Sequence, residues 1–196
     1  MICEKLGVEL LDHIERFREK YPRIKVQVRR SLSSKIPSEL LDGDLELGLL
    51  TYDPEDERLV TSVIFTDHLS FIVSPSHRFA GRAEVSITEL GMETFIAHNI
   101  VSPYRNAVIR TFQQHKVALN MDLEMPTIEA IRKMVQRNEG VAFLPHMCAA
   151  DEIRQGVVRE IKVQEMNVNR PIRLVYPAKR ALSHAAQAFL EVVGNG

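Results

Sequence analysis

The chain has few cysteines, almost no net charge and no long hydrophobic run. Two cysteines in 196 residues, Cys3 and Cys148, do not make a disulfide scaffold and fit a reducing cytoplasm. A formal net charge of −1 argues against this chain gripping DNA or RNA by itself, because duplex binding needs a net basic face. No apolar run approaches the roughly 20 residues of a membrane helix. The start, MICEKLGVELL, is charged and amphipathic and lacks a signal-peptide core. A cytoplasmic protein with no membrane partner is expected. Repeats, low-complexity tracts and Gly/Ser/Pro-rich linkers are also missing, so no simple domain boundary is marked.

Several chemistries are excluded in the same way. There is no GxGxxG, no P-loop and no GxSxG elbow. His146-x-Cys148 falls short of a four-ligand zinc pattern. Asp42, Asp44 and Glu46 could suggest paired acids, but Glu46 alternates with Leu45 and Leu47 as the wet face of a strand would. The acidic run Asp53–Glu57 reads as solvated loop. The sequence therefore predicts no metal, no cofactor and no catalytic constellation.

What is present is an ordinary globular composition, 45% hydrophobic and 26% charged. A chain this long can bury roughly 70% of its unfolded surface, enough for one large core or two modest ones. The periodicities predict a helix over Glu4–Lys20, with Leu6, Leu10, Ile14 and Phe17 on one face. They predict an alternating strand at Ile24–Arg30, a short helix to Asp42 and a strand at Asp44–Leu50. Strands at Val60–Phe65, Leu69–Ser74, Thr94–His98 and Leu119–Glu124 follow, with a short helix near Thr88–Gly91 and a longer one opening at Ser102-Pro103.

Pro126–Pro145, PTIEAIRKMVQRNEGVAFLP, carries the densest information. Thr127 is a helix N-cap, Ile128, Ile131, Met134 and Val135 form an apolar stripe, Gly140 is the expected left-handed helix stop, and Val141–Leu144 is a strand stopped by Pro145. A helix to about Gln155, strands at Val157–Val163 and Ile172–Tyr176, and a terminal helix at Ser183–Val193 complete the chain. This alternation predicts an α/β fold with a largely parallel sheet. The length fits two lobes, with Leu69–Ser74 and Ile172–Tyr176 as crossover strands.

Three strand-to-helix turns carry hydroxyls: Ser33/Ser34, Ser102 and Thr127. Helix N-termini present free N–H groups and a partial positive charge, which favour a carboxylate, sulfate or phosphate. Arg105, one turn into its helix, can add charge. Each hydroxyl read singly is a structural cap worth about 1 kcal/mol. Three at corresponding places point to a shared anion site.

The order of these pieces resembles the effector-binding domain of LysR-type transcriptional regulators, relatives of the type 2 periplasmic binding proteins. The resemblance rests on RFREKYPRIKVQV (Arg16–Val28), LLDGDLELGLL (Leu40–Leu50), DHLSFIVSPSHRFA (Asp67–Ala80), SPYRNAVIRTF (Ser102–Phe112) and the motif ending in GVAFLP. It implies a two-lobed periplasmic-binding-protein-like (type 2) fold with two crossover strands. Lobe one would be residues 1–71 plus 174–196, and lobe two residues 72–173. It also implies a small, often anionic effector in the cleft, with Ser33 and Ser34 on the first-lobe rim and Ser102 and Thr127 on the second; Arg105, read from its place in the helix, joins them as a candidate contact. His146 follows the last second-lobe strand at a position that faces the cleft in the family. Cys3, with Ile2, falls at the family's first strand–helix turn, which is apolar here.

The resemblance further implies side-by-side dimers or tetramers, and DNA contact through an N-terminal winged helix-turn-helix that these residues do not include. The strand that precedes the first helix in the family is also missing or reduced, so the chain reads as a fragment of a longer regulator. The competing expectations are a transporter's solute-binding protein and, last, an enzyme on the same scaffold.

Overall fold

The computed structural model describes residues 6–29, 31–100 and 102–194. They divide into two compact units: one runs to Thr66 and resumes at Arg170, and the other is Asp67–Asn169.

In the first unit, α1 (Leu6–Lys20) turns Phe17 inward, where it meets Phe189 of α6 (His184–Gly194) edge-on with ring centroids 5.3 Å apart. Leu11, beside the apolar stripe, is exposed. The short α2 (Ile36–Asp42) carries Pro37 in its first turn and closes on Gly43, whose φ of 89° a side chain would resist. Three strands follow the chain back and forth: β1 (Gly48–Leu50), β8 (Asn169–Pro177) antiparallel to it, and β2 (Leu59–Val73) beside β8. Ile36, Leu40, Leu50, Leu59 and Val175 form the core between them. Ser183 caps α6, its hydroxyl accepting from the Ala186 N–H at 3.2 Å. Glu46 accepts from the Ser183 N–H at 3.1 Å, so the acid read as a strand's wet face anchors a helix start.

The strand predicted at Ile24–Arg30 does not form. Residues 24–29 are irregular, although Ile24 and Val26 are more covered than Lys25 and Gln27. Alternation supplies the side-chain pattern of a strand but not its hydrogen bonds, which need a neighbouring ladder. Among the described residues no strand pairs with this segment. It lines a groove of about 710 Å³ whose other walls include β1, Phe17 and Ile36. The strand predicted from Asp44 likewise shortens to Gly48–Leu50.

The second unit has a sheet in the order β5-β4-β6-β2-β7-β3. Its strands are β3 (Glu84–Val85), β4 (Thr94–His98), β5 (Asn120–Met125), β6 (Ala142–Pro145) and β7 (Arg159–Val163), with β2 at the centre. The sheet is mixed rather than largely parallel. β4 runs parallel to β5, and Phe95 bridges Val141 in parallel at the start of β6, but β2 is antiparallel to both β6 and β7. The two strands predicted at Val60–Phe65 and Leu69–Ser74 are one, because Thr66-Asp67-His68 contains neither glycine nor proline to break it.

Alternation along β2 sorts two cores. Phe71 and Val73 join Phe95, Phe112, Val141 and Ile161 on one face, under α3 (Pro103–Gln114). Ile72 joins Ala142, Leu144 and Val158 on the other, covered by Ile131 and Val135 of α4 (Ile128–Gln136) and Ala149 of α5 (His146–Arg154). Phe95 meets Phe112 edge-on at 5.4 Å and stacks on Phe143 at 5.7 Å. Each buried phenyl contributes roughly 1.5–3 kcal/mol. An Arg132–Glu152 ion pair ties α4 to α5. The 3-10 turn Ile87–Leu90 opens with a full capping box, Ser86 with Glu89.

Gly140 corrects a sequence expectation. α4 ends at Gln136, and the left-handed residue after it is Asn138, with φ 62°. Gly140 serves close approach instead: a Cβ there would sit 2.6 Å from the Thr94 carbonyl oxygen and 3.0 Å from Ile96 Cγ1. Gly140→Ala should therefore cost about 1–3 kcal/mol by overpacking. Gly81→Ala, with nothing within 4 Å of the new methyl, should be neutral or slightly stabilising. Urea denaturation of the two variants beside the wild type measures the contrast.

Candidate functional site

The parallel pairing in the second unit sets out the site. β4, β5 and β6 each run directly into a helix: β4 through Ser102 into α3, β5 through Thr127 into α4, and β6 through Pro145 into α5. His98 and Met125 are register partners at the ends of β4 and β5, and β4 bridges to β6 in parallel. Three helix N-termini therefore share the carboxyl edge of three adjacent strands. Each end carries roughly half a positive charge from its unpaired N–H groups. An edge of this kind is where α/β sheets bind small ligands.

Ser102 and Thr127 are both N-caps. Ser102 Oγ accepts from the Arg105 N–H at 3.2 Å, and Thr127 Oγ1 accepts from the Ala130 N–H at 3.1 Å. Capping uses an oxygen lone pair and leaves the hydroxyl proton able to donate. Arg105 lies at the same edge. Its guanidinium donates to the His98 carbonyl at 2.9 Å and pairs with Glu124 of β5, so Glu124 offsets much of its charge.

Ser33 and Ser34 lie in a turn of the first unit but neither is the N-cap of α2. The N-cap of α2 is Lys35, without a side-chain bond. The Ser33 carbonyl accepts from the Tyr52 hydroxyl at 2.9 Å. The sequence predicts hydroxyl caps at Ser33/Ser34, Ser102 and Thr127; the latter two form, and the first unit's hydroxyl cap is Ser183 on α6 instead. Cys3 lies outside the described residues.

His146 gathers three residues that sequence reasoning missed. It is the first residue of α5, where Asp67 of β2 substitutes for a local cap by accepting from the Met147 N–H at 3.2 Å. His146 Nδ1 lies 3.0 Å from Ser70 Oγ and 3.2 Å from Glu160 Oε2. His68 Nε2 lies 3.1 Å from Glu160 Oε1, and the two imidazoles stack with centroids 4.5 Å apart. Ser70, buried, donates to Glu160. Burial pushes the Glu160 carboxyl up, but the Ser70 hydroxyl and the two histidines outweigh it and hold it below the ordinary carboxylate range. His68 and Ser70 share a face because they are two apart on one strand. Glu160 joins them because Ile72 and Glu160 are register partners. The i,i+2 pair was visible in the sequence; its partners, some 75 to 90 positions away, left no local signal.

Comparison with known proteins fits this geometry. The family described as LysR substrate binding domain matches residues 8–196. A curated relative from Chlorokybus atmophyticus, the "Probable RuBisCO transcriptional regulator", is 29% identical over 182 residues, covering 90% of this chain and 58% of the relative. The chain thus spans about three-fifths of the length of such relatives. The regulatory domain of CcmR from Synechocystis PCC6803, solved in complex with 2-PG, superposes with a TM-score of 0.84 at 24% identity, over 96% of this chain and 91% of that one. The effector binding domain of QuiR, solved with shikimate, superposes with a TM-score of 0.80 at 15% identity, over 97% and 91%. These likenesses give the fold, which is the two-lobed, type 2 periplasmic-binding-protein-like architecture of LysR regulatory domains. With the family match extending over nearly its whole length, the chain belongs to the family of LysR substrate-binding domains.

Proposed function

We propose that this domain is the ligand-sensing part of a longer transcriptional regulator, and that the second unit's strand edge contacts a small anionic effector. The observation that carries the reading is the convergence of three helix N-termini, two capped by hydroxyls with a proton left to donate. A carboxylate or phosphate is the chemistry that such an edge favours. That CcmR and QuiR domains of this fold were solved with 2-PG and shikimate supports a small-molecule effector. Self-association as a dimer or tetramer, DNA contact through a part of the protein beyond these residues, and a cytoplasmic setting belong to the same proposal. Among the described residues, no helix is long and apolar enough to cross a membrane.

Binding rather than catalysis also suits the Ser70–His146–Glu160 group. A hydrolytic triad holds its serine and its acid on opposite nitrogens of the histidine. Here Ser70 and Glu160 both face Nδ1, and the buried serine donates to the carboxylate. The group lacks the geometry to activate a nucleophile. For sensing, the effector must bind one conformation better than another, since equal affinity shifts nothing.

Thr127→Val and Ser102→Ala should each weaken effector binding by about tenfold or more, the scale of a lost hydrogen bond to a charged group. Each should also lose about 1 kcal/mol of stability as a cap. Thr127→Ser, which keeps both the cap and the donor, should retain affinity. Calorimetry follows a thermal-shift screen of small carboxylates and phosphates, in which a ligand of the folded state raises the apparent stability. Unchanged affinity in both Thr127→Val and Ser102→Ala would remove these residues from the site. The domain alone should show no sequence-specific gel shift with promoter DNA, in keeping with its net charge of −1.

A further inference from the structure

We infer that His68, His146 and Glu160 form a divalent metal site, selective for an ion of zinc's borderline softness. The three residues offer two imidazole nitrogens and a carboxylate oxygen that all lie within 4.8 Å of one another. Around a tetrahedral zinc ion with ligand distances near 2.0–2.2 Å, neighbouring donor atoms are about 3.3–3.6 Å apart. Each imidazole already lies near that spacing from a carboxylate oxygen, though each from a different one: His68 Nε2 to Glu160 Oε1 is 3.1 Å, and His146 Nδ1 to Glu160 Oε2 is 3.2 Å. Bringing both nitrogens and one carboxylate oxygen onto a single ion takes rotation of side chains whose rings are partly exposed.

Two further features favour an ion over a plain hydrogen-bonded cluster. The donors come from three rigid elements: His68 from β2, Glu160 from β7 and His146 from the first turn of α5. Ser70, buried between them, holds the carboxylate in place, as second-sphere partners of metal ligands do. Two nitrogens and one oxygen, without a thiolate, suit zinc, cobalt or nickel better than magnesium or calcium, which prefer all-oxygen shells. Three protein ligands leave the fourth position to water or to an exchangeable group. The inference uses neither Ser102 nor Thr127, so it stands or falls separately from the proposed effector contacts.

The test is titration of the wild-type protein with zinc chloride by calorimetry, with cobalt substitution followed by visible absorption. One zinc per chain is expected, together with a cobalt spectrum of a four-coordinate site. His68→Ala, His146→Ala and Glu160→Gln should each weaken zinc binding at least about tenfold, in line with the sensitivity of metal sites to loss of supporting groups. Circular dichroism checks that each variant folds; His68, half-exposed, is the substitution least able to disturb packing. His115→Ala, an exposed histidine outside the cluster, should bind as the wild type does. Ser70→Ala should keep the stoichiometry at reduced affinity. No zinc binding by the wild type, or binding equally strong in folded His68→Ala and Glu160→Gln, would overturn the assignment.

Discussion

The parallel pairing of β4 with β5, extended to β6 by the Phe95–Val141 bridge, is the constraint on which the second unit's chemistry depends. Parallel strands force each connection to cross over through a helix. Every such helix then starts at the same edge of the sheet. Ser102, Thr127 and His146 are far apart in sequence, and the direction of three strands places them along one edge of the sheet. Had β5 or β6 run the other way, its helix would begin at the opposite edge and the concentration of N–H groups would be lost. Gly140 belongs to the same constraint, since the segment leading into β6 passes so close to the Thr94 carbonyl that no side chain fits.

β2 imposes a second order on this frame. Its side chains alternate between an aromatic-rich core under α3 and an aliphatic core under α4 and α5. The polar residues His68 and Ser70 lie on the aliphatic face, near the N-terminal end of α5. Antiparallel β7 delivers Glu160 to that face, and Asp67 closes the uncapped helix start through the Met147 N–H. A helix N-terminus, two imidazoles, a hydroxyl and a carboxylate are thus assembled by register alone.

Much of the second unit was legible in the sequence. Ser102-Pro103 and Thr127 announce helix starts by local chemistry, and both hydroxyls make the predicted caps. Other signals misled. Ser33/Ser34 sit before a helix yet do not cap it, because the turn places Lys35 at the N-cap position. Gly140 looked like a helix stop, but Asn138 takes the left-handed conformation two residues earlier. In each case a residue's type suggested a role, and a neighbour supplied by the fold decided it.

The sequence by itself determined what depends on a few consecutive residues: helix and strand periodicity, caps, breakers, and the ordered motifs that mark the family. Those features are set by local torsions and by one face of one element. Tertiary structure decided strand partners, sheet direction and which distant polar groups meet. The alternating segment predicted as a strand at Ile24–Arg30 shows the limit: Ile24 and Val26 are covered as expected, Val28 is exposed, and among the described residues no strand pairs with it. His68, Ser70, His146 and Glu160 show the converse. Nothing in their spacing predicts a cluster, and hydrogen-bond register across β2, β6 and β7 brings them together.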